Sequence, residues 1–435
     1  MKIKSTKPCK LVVVIYLKLR SLMWTFGAMC AHAYLGVNNG KKTLFSQCMA
    51  KIFGLLGVQA AKILTHSQYV QLKADGSSIH PIHIGRVGRV VSQVYDVHEE
   101  PIINQVPMED LYMVEYNNIS IHGGSDVVCD FDRNVAVCDY AYNLNEHAVA
   151  CSANIIKKQY HRTALVCIGE YGNDLESGIL LNATFSNNYY HIIYDILIKL
   201  QILDELDIPL EIPLIVDNCI LRVKQFKEIL DIMNTSHRNV IWIEDKKYYK
   251  VHKAYFISSI HQVPQQVINQ QKLKLSDFAF DEELLAGFRE KILKLKSEEV
   301  FPKRIFISRK GLTRRQYNED ELLNIAKQYD VEVVHPETLS FVQQVTLFNQ
   351  ADIVIGATGA AFTNVLFMKK GAYAICFVGE KVDIPVFTTG AYISQSHLLY
   401  VAGKLHKLDT TGYSFQAGFT IQPTDLENIL EKIVD

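Results

Sequence analysis

The sequence lacks the features that would assign it at once to a nucleic-acid-binding, disulfide-rich or well-known enzyme class. Lysine and arginine number 45 against 46 aspartates and glutamates, so the net charge is −1, whereas a generic nucleic-acid-binding domain carries a basic excess. The nine cysteines include no CxxC motif, and most lie in apolar stretches, which favours buried thiols in a reducing compartment over a disulfide scaffold. No HExxH, P-loop or GxSxG motif occurs, which removes three common catalytic signatures.

The chain also lacks an uninterrupted apolar run long enough to cross a membrane. Residues 2–10 carry four lysines, and two apolar runs follow at 11–17 and 21–37, separated by basic residues. A spanning helix needs roughly 20 consecutive apolar residues. Three interpretations stay open: a helical extension packed on the body, an interfacial helix in peripheral contact with a membrane through residues 1–37, and a signal or anchor.

The chain is long enough for two domains. Its 435 residues, 49% hydrophobic and 21% charged, are typical of a globular protein with more than one core. From residue 164 onward, strand patterns alternate with helical ones, which indicates parallel β-α-β units, and the stretch 265–300 separates two such regions. We therefore predict an α/β fold of two Rossmann-like domains whose parallel sheets face a cleft, with an N-terminal helical extension at 1–75 and domains at 76–290 and 291–435.

A basic cluster accompanies the strand pattern RIFISR. Arg309 ends the strand and Arg314 follows in the loop. Ligands of open α/β sheets bind at the carboxyl ends of the strands, and arginine holds a diphosphate through charge-assisted, bidentate hydrogen bonds. The pattern therefore predicts a phosphate site, and the alternative is a solvated basic loop.

A turn of small residues follows a second strand, in the sequence IVIGATGAAFTN at 353–364. Backbone N–H groups at such a turn bind phosphate well. The same turn can be interpreted as a dinucleotide-binding fingerprint, with Glu380 at the place of the ribose-binding acid. A third interpretation is tight strand–helix packing without a ligand.

The helical pattern at 187–206 contains one candidate catalytic pair. His191 and Asp195 are four residues apart, so both side chains project from one face of the helix. A histidine with an adjacent carboxylate can act as a general base with its orienting partner. The alternative is a hydrogen bond with a structural role only.

Three blocks of the sequence together resemble glycosyltransferase family 61. The run NYYHIIYDILIKL resembles the family's N-Y-x-H-x-x-x-D helix. The run RIFISRKGLTRRQYNEDEL resembles its strand-Ser-Arg and Asn-Glu block. The run VVHPETLSFVQQ resembles its Glu-x-Leu-Ser-Phe block, and the run IVIGATGAAFTN that follows resembles its G-x-H-G-A turn. Their order and spacing match over about residues 165–380. The usual histidine of the turn is Thr358 in this chain, and its hydroxyl can still donate to a phosphate.

The resemblance implies a fold of GT-B type and an inverting transfer from a nucleotide-sugar, expected to be a UDP-sugar, with no required metal or other cofactor. It implies that His191 and Asp195 face the acceptor and that Arg309 and Arg314 hold the diphosphate. The other donor-side residues that it implies are Asn318 in the Asn-Glu block, Glu337 near the ribose or base, and Gly356, Thr358, Gly359, Ala360 and Asn364 in the phosphate turn.

Asp130 and Asp132 form a DxD motif of the kind that binds metal in GT-A enzymes, but they lie in an alternating strand pattern, so we expect no metal site there.

The family spans bacterial polysaccharide enzymes and eukaryotic secretory enzymes. The interrupted N-terminus and the cysteine pattern favour a cytoplasmic enzyme of capsule or lipopolysaccharide biosynthesis, acting on a glycan or lipid-linked acceptor at the inner face of the plasma membrane. The secretory lumen is the alternative location. Two other functions stay open: an NAD- or S-adenosylmethionine-binding Rossmann enzyme, and a non-catalytic relative in which Thr358 marks lost activity.

Overall fold

The computed structural model describes residues 10–37, 44–72, 76–139, 154–264, 273–311, 315–380, 382, 384–406 and 417–434. Within these ranges the fold is mixed α/β. The strands are, in chain order, β1 Val58–Leu64, β2 Ser78–His83, β3 Val87–Val91, β4 Ile103–Pro107, β5 Leu111–His122, β6 Val128–Asp130, β7 Val135–Val137, β8 Ile156–Tyr160, β9 Thr163–Cys167, β10 Leu175–Leu180, β11 Leu214–Asp217, β12 Val240–Ile243, β13 Tyr248–Ile257, β14 Phe280–Asp281, β15 Arg304–Ile307, β16 Glu332–Val334, β17 Ile353–Ala357, β18 Tyr373–Gly379, β19 His397–Leu405 and β20 Phe419–Thr420.

The helices alternate with these strands most regularly in the C-terminal third. They are α1 Lys10–Val37, α2 Leu44–Leu55, α3 His66–Gln71, α4 Tyr189–His191, α5 Ile198–Leu203, α6 Lys224–Met233, α7 Glu282–Leu293, α8 Glu319–Ala326, α9 Phe341–Gln350, α10 Thr388–Ser394 and α11 Pro423–Ile433. A π-helical segment, Ile192–Leu197, joins α4 to α5, and a 3₁₀ helix, Ala360–Phe367, follows β17.

The C-terminal sheet is the parallel sheet that the sequence predicts. Its order is β16-β15-β17-β18-β19-β20, and the first five strands are parallel to one another. Alternate residues of β17 lie in different cores: Ile353 and Ile355 pack with α8 and α11, whereas Val354 packs with α9 and the 3₁₀ helix. Both faces are therefore covered, as parallel strands require, which agrees with the parallel β-α-β units that the sequence predicts after residue 300.

The N-terminal sheet is larger and more mixed than predicted. Its order is β12-β11-β10-β13-β5-β6-β7-β1-β9-β8, with β2 on β5. The strands β10 to β13 are parallel, as expected for residues 164–260. The expectation of a parallel Rossmann-like sheet is wrong for the rest, because β5 pairs antiparallel with β13 and begins a run of mostly antiparallel strands. A third, small sheet has the order β14-β3-β4.

One hydrophobic core joins the two large sheets. It contains Ile179 and Leu214 of the N-terminal sheet, Ile196 of the helix that follows β10, and Val354 and Cys376 of the C-terminal sheet. The sheets are thus separate but packed through shared helices. The GT-B arrangement and the domain boundaries at 75 and 290 stay predictions, and β1, which precedes residue 75, pairs inside the N-terminal sheet.

The helices α1 and α2 lie where the sequence predicts a helical extension, but β1 of the N-terminal sheet also lies within residues 1–75, so a separate extension with these bounds stays a prediction. Ala28, Ala31 and Leu35 of α1 pack against Leu165 and Val58 of the N-terminal sheet. Within the described ranges, no helix combines the length and apolarity that crossing a bilayer demands.

One of the described cysteines differs from the sequence expectation. Cys129, Cys219 and Cys376 are buried free thiols, as the apolar context predicted. Cys138 is disulfide-bonded. Cys138 is therefore an exception to the buried thiols that the sequence favours for most cysteines, and a disulfide is more typical of an oxidising compartment.

Candidate active site

The helix that carries His191 begins with a side-chain cap and continues through a π-helical turn. The side chain of Asn188 accepts a hydrogen bond from the N–H of Tyr190, which satisfies one of the first free N–H groups of α4. The segment Ile192–Leu197 is π-helical and fully buried. π-Helical turns are rare and occur frequently at functional sites, and this one contains Asp195.

His191 and Asp195 form the predicted pair, and a second histidine completes it. Nδ1 of His191 lies 2.7 Å from Oδ2 of Asp195, and Nε2 of His261 lies 2.6 Å from Oδ1 of the same carboxylate. His261 follows β13 and is 66 positions from Asp195. Sequence reasoning missed it, although its place just beyond the end of a parallel strand was a usable signal.

A backbone contact fixes which nitrogen of His261 carries the proton. The N–H of Val263 donates to Nδ1 of His261 over 3.2 Å, so that nitrogen is the acceptor and Nε2 is protonated. His261 therefore donates to Asp195, and the other carboxylate oxygen accepts from Nδ1 of His191. This arrangement leaves Nε2 of His191 as the basic nitrogen. The side chain of His191 is 18% exposed, whereas that of Asp195 is 8% exposed.

The electrostatics keep Asp195 ionised. Burial raises the pKa of its carboxyl, but the charge and hydrogen bond of His191 and the hydrogen bond of His261 outweigh burial and hold the pKa below its ordinary value. A permanent carboxylate can orient the imidazole of His191 and stabilise it when it gains a proton.

Two arginines contact the small-residue turn that follows β17. Both come after β15 in the sequence. Nη1 of Arg309 donates to the carbonyl oxygen of Thr358 over 2.9 Å, and Nη1 of Arg315 donates to the same oxygen over 3.1 Å. A Cβ at Gly359 would lie 2.6 Å from Nη1 of Arg309, so a side chain there would displace the guanidinium. Arg314, which the resemblance implied, lies outside the described residues, and Arg315 is a second arginine that it did not name.

The backbone around these arginines is held in place by buried contacts. The Ser308 hydroxyl and the Arg309 N–H both donate to the carboxylate of Glu319, over 2.5 and 2.8 Å. Arg315 has a left-handed backbone conformation, with φ of 53°, which is uncommon for a residue other than glycine. Such conformations often occur where a site must place a side chain in one direction.

Asn364 connects the two halves of the site. Its side chain is fully buried, its Oδ1 accepts a hydrogen bond of 2.7 Å from the hydroxyl of Tyr189, and its Nδ2 donates to Gln344. Tyr189 is the first residue of α4, the helix that carries His191. The predicted phosphate turn and the predicted acceptor helix are thus in direct contact.

The remaining predicted donor-side residues have other contacts. Gly356 lies within β17, where a Cβ would meet Ile307 at 3.1 Å, and Ala360 begins the 3₁₀ helix. Asn318 uses its amide to bind Glu321 and the backbone of Ile421. Glu337 is exposed on a 3₁₀ turn, where its carboxylate lies 3.5 Å from His335. Their role toward a donor stays a prediction.

The two aspartates of the DxD motif lie in different environments. Asp130 is buried and accepts hydrogen bonds from the hydroxyl of Tyr69 over 2.9 Å and from the side chain of Arg133 over 2.6 Å, while Asp132 is exposed. Within the described ranges, no group of three His, Cys, Asp or Glu side chains is placed to hold a metal ion.

A pocket of about 530 Å³ opens beside the start of the His191 helix. Loops that follow three parallel strands contribute Ser186 and Asn187, Arg222, and Asp245. Phe185, which precedes Ser186, packs its ring 4.8 Å from the ring of His191. The pocket is therefore next to the loop that leads into the His191 helix, and both polar and apolar groups line it.

Comparisons with known proteins find the family that the sequence resembles. Residues 189–375 match the model of the family described as Glycosyltransferase 61, a range that begins at α4 and includes His191, Asp195, Arg309 and Asn364. Over 70 residues the chain is 39% identical to the EGF domain-specific O-linked N-acetylglucosamine transferase of Drosophila melanogaster. That segment is 15% of this chain and 14% of the relative's length. The predicted resemblance is confirmed for residues 189–375, which contain a region similar to Glycosyltransferase 61.

Proposed function

We propose that the chain catalyses an inverting, metal-independent transfer of a sugar from a nucleotide-sugar to an acceptor hydroxyl. The observation that carries this proposal is the His191–Asp195–His261 network, joined through Tyr189 and Asn364 to the turn on which Arg309 and Arg315 converge. A base and a cationic anion site are the two groups that such a transfer needs. We further propose an arrangement of GT-B type, in which the base and the anion site face each other.

In the proposed reaction, Nε2 of His191 accepts the proton of the acceptor hydroxyl. The acceptor oxygen then bonds to the anomeric carbon as the bond from that carbon to the diphosphate oxygen breaks, so the configuration inverts. The diphosphate leaves with the electron pair of the broken bond, and the guanidinium groups of Arg309 and Arg315 stabilise its charge. Asp195 stabilises the imidazolium of His191.

The donor in this proposal is a UDP-sugar. The relative's name specifies N-acetylglucosamine, which makes UDP-N-acetylglucosamine the first donor to assay. No residue set for a metal accompanies the arginines in the described ranges, and in our proposal the arginines take the role of a cation toward the diphosphate.

The acceptor in this proposal occupies the pocket beside the His191 helix. Its amide, hydroxyl and guanidinium groups suit a polyhydroxylated or polypeptide ligand. A glycan or lipid-linked acceptor at a cytoplasmic membrane face is the assignment that the sequence favours. The relative's polypeptide acceptor, an EGF domain by its name, and the disulfide of Cys138 support the alternative of a protein acceptor in the secretory lumen.

The proposal is tested by incubating the full chain with UDP-N-acetylglucosamine and other UDP-sugars, with and without EDTA, and following UDP release and the anomeric configuration of the product. We expect turnover that survives EDTA and falls about 10²–10⁴-fold in His191→Gln, because that is the usual contribution of a general base. His98→Gln, at an exposed histidine, is the matched control. A strict requirement for Mn²⁺, or retention of configuration, would overturn the proposal.

A further inference from the structure

The charges of the chain are distributed very unevenly. None of the 46 acidic residues lies before Asp75, whereas eleven of the 45 lysines and arginines do. The rest of the chain is therefore acidic, although the whole has a net charge of only −1. A basic segment of this length on an otherwise acidic protein indicates an anionic partner for that segment.

The helix α1 within this segment has two different faces. Ala28, Ala31 and Leu35 are buried against β8 and β9. The opposite face, at the spacing of one helical stripe, carries large apolar side chains that are 46–69% exposed: Leu19, Leu22, Met23, Phe26 and Met29.

The helix α2 carries exposed apolar side chains of its own. It packs on α1, where the rings of Tyr34 and Phe53 lie 6.1 Å apart, and Ile52 and Leu55 of α2 are exposed, as is Leu56 just beyond its end. We call these eight side chains the apolar face. Monomeric proteins rarely leave so many large apolar side chains exposed together without a partner.

Exposed basic residues lie beside the apolar face. Lys18 and Arg20 flank Leu19 at the N-terminal end of the stripe on α1, and Lys51 precedes Ile52 on α2. A second copy of the chain docked on this face would bring two basic segments together, and no acidic residue of either segment could neutralise them. An anionic lipid surface supplies both an apolar layer and the opposite charge.

We propose that the apolar face of α1 and α2 docks this protein on an anionic lipid bilayer, with α1 lying in the plane of the interface. The apolar side chains enter the boundary between headgroups and acyl chains, and Lys18, Arg20 and Lys51 contact anionic headgroups. This inference rests on the surface alone and does not depend on the proposed reaction.

The test is sedimentation of the full chain with vesicles of phosphatidylcholine alone and of phosphatidylcholine with about one third phosphatidylserine. We expect binding to the anionic vesicles, much weaker binding to the neutral ones, and release by high salt. Leu22→Ser with Phe26→Ser should lower the vesicle affinity at least tenfold. Lys18→Gln with Arg20→Gln should lower it by about fivefold for each charge.

The control variants replace exposed apolar residues elsewhere. Leu210→Ser and Val300→Ser remove side chains that are 66% and 85% exposed, and both should bind vesicles as the unchanged chain does. Circular dichroism of each variant checks that α1 and α2 keep their helical content. Binding that is absent, equal on neutral vesicles, or unchanged in Leu22→Ser with Phe26→Ser would overturn the proposal. So would a dimer in solution that the same double variant dissociates, because the face would then serve self-association.

Discussion

The hydroxyl of Tyr189 donates a hydrogen bond of 2.7 Å to Oδ1 of Asn364, across 175 positions of sequence. Tyr189 opens the helix that carries the candidate base, and Asn364 lies in the 3₁₀ helix after the turn that the arginines contact. The two halves of the site are therefore mechanically linked. A change at the small-residue turn can therefore alter the position of His191 without contacting it.

Tyr189→Phe should uncouple the two halves. The substitution removes the hydroxyl and leaves Oδ1 of Asn364 buried without its donor, which costs about 1–3 kcal/mol. Denaturant unfolding should show that loss, and turnover should fall while the affinity for UDP changes little. Tyr171→Phe, at a half-exposed tyrosine on Ser120, is the control. Unaltered stability in Tyr189→Phe would mean that the hydrogen bond contributes nothing.

Arg309→Ala and Arg315→Ala should each weaken UDP binding while the fold stays intact. Loss of one charge-assisted contact costs roughly 1.5–3 kcal/mol, or about tenfold to a hundredfold in affinity. Arg304→Ala is a matched control, because Arg304 begins the same strand and its guanidinium binds the carbonyl of Tyr329 at the opposite end. If calorimetry gives Arg309→Ala and Arg315→Ala the same UDP affinity as the Arg304→Ala control, neither arginine binds the diphosphate.

The sequence predicts best where a pattern is local. Ser340 and Gln343 have the sequence spacing of a capping box, and the structure contains that box; the His191–Asp195 pair likewise follows directly from helical spacing. Thr424 and Glu427 have the same spacing before the last helix, but Pro423 occupies the first helical turn and Gln422 is the cap residue. Asn318 likewise does not cap α8 through its side chain, because its amide binds Ile421.

The sequence predicts poorly what depends on distant pairing. The antiparallel half of the N-terminal sheet is joined through the pairing of β5 with β13, which lie more than a hundred positions apart. The short strands β6 and β7, of three residues each, carry too little pattern to indicate their neighbours. His261 reaches Asp195 only because β13 pairs beside β10, and this pairing cannot be read from either segment alone.

Asp217→Asn should change how stability depends on pH. Asp217 is fully buried, and burial raises the pKa of its carboxyl to about 6 despite hydrogen bonds from Ser186, Ala183 and Gly124. The folded chain therefore holds a proton there that the unfolded chain releases near pH 4, so the free energy of unfolding falls as pH rises from about 4 to 6.

Asparagine cannot ionise, so this fall is absent in Asp217→Asn. Relative to the variant, the unchanged chain should lose about 3 kcal/mol of stability between pH 4 and 7, as measured by denaturant unfolding. Asp139, whose pKa burial also raises to about 6, is present in both proteins and cancels in the comparison. A difference between the two proteins that is constant with pH would contradict the assignment.

His261 should act as a positioning residue for the reaction. It donates to Asp195 over 2.6 Å and does not contact solvent, since it is 3% exposed. His261→Leu removes a hydrogen bond to a charged group, worth about 1.5–3 kcal/mol, so turnover should fall about tenfold to a hundredfold. The acid limb of the pH–turnover profile should move to higher pH, because the Asp195 carboxylate, once it has lost a donor, binds the protonated imidazole of His191 more strongly. His261→Gln keeps an N–H donor and should restore part of the turnover and of the profile.

A His261→Leu enzyme that melts at a lower temperature yet keeps its turnover and its pH profile would limit His261 to packing between Tyr194 and Phe280.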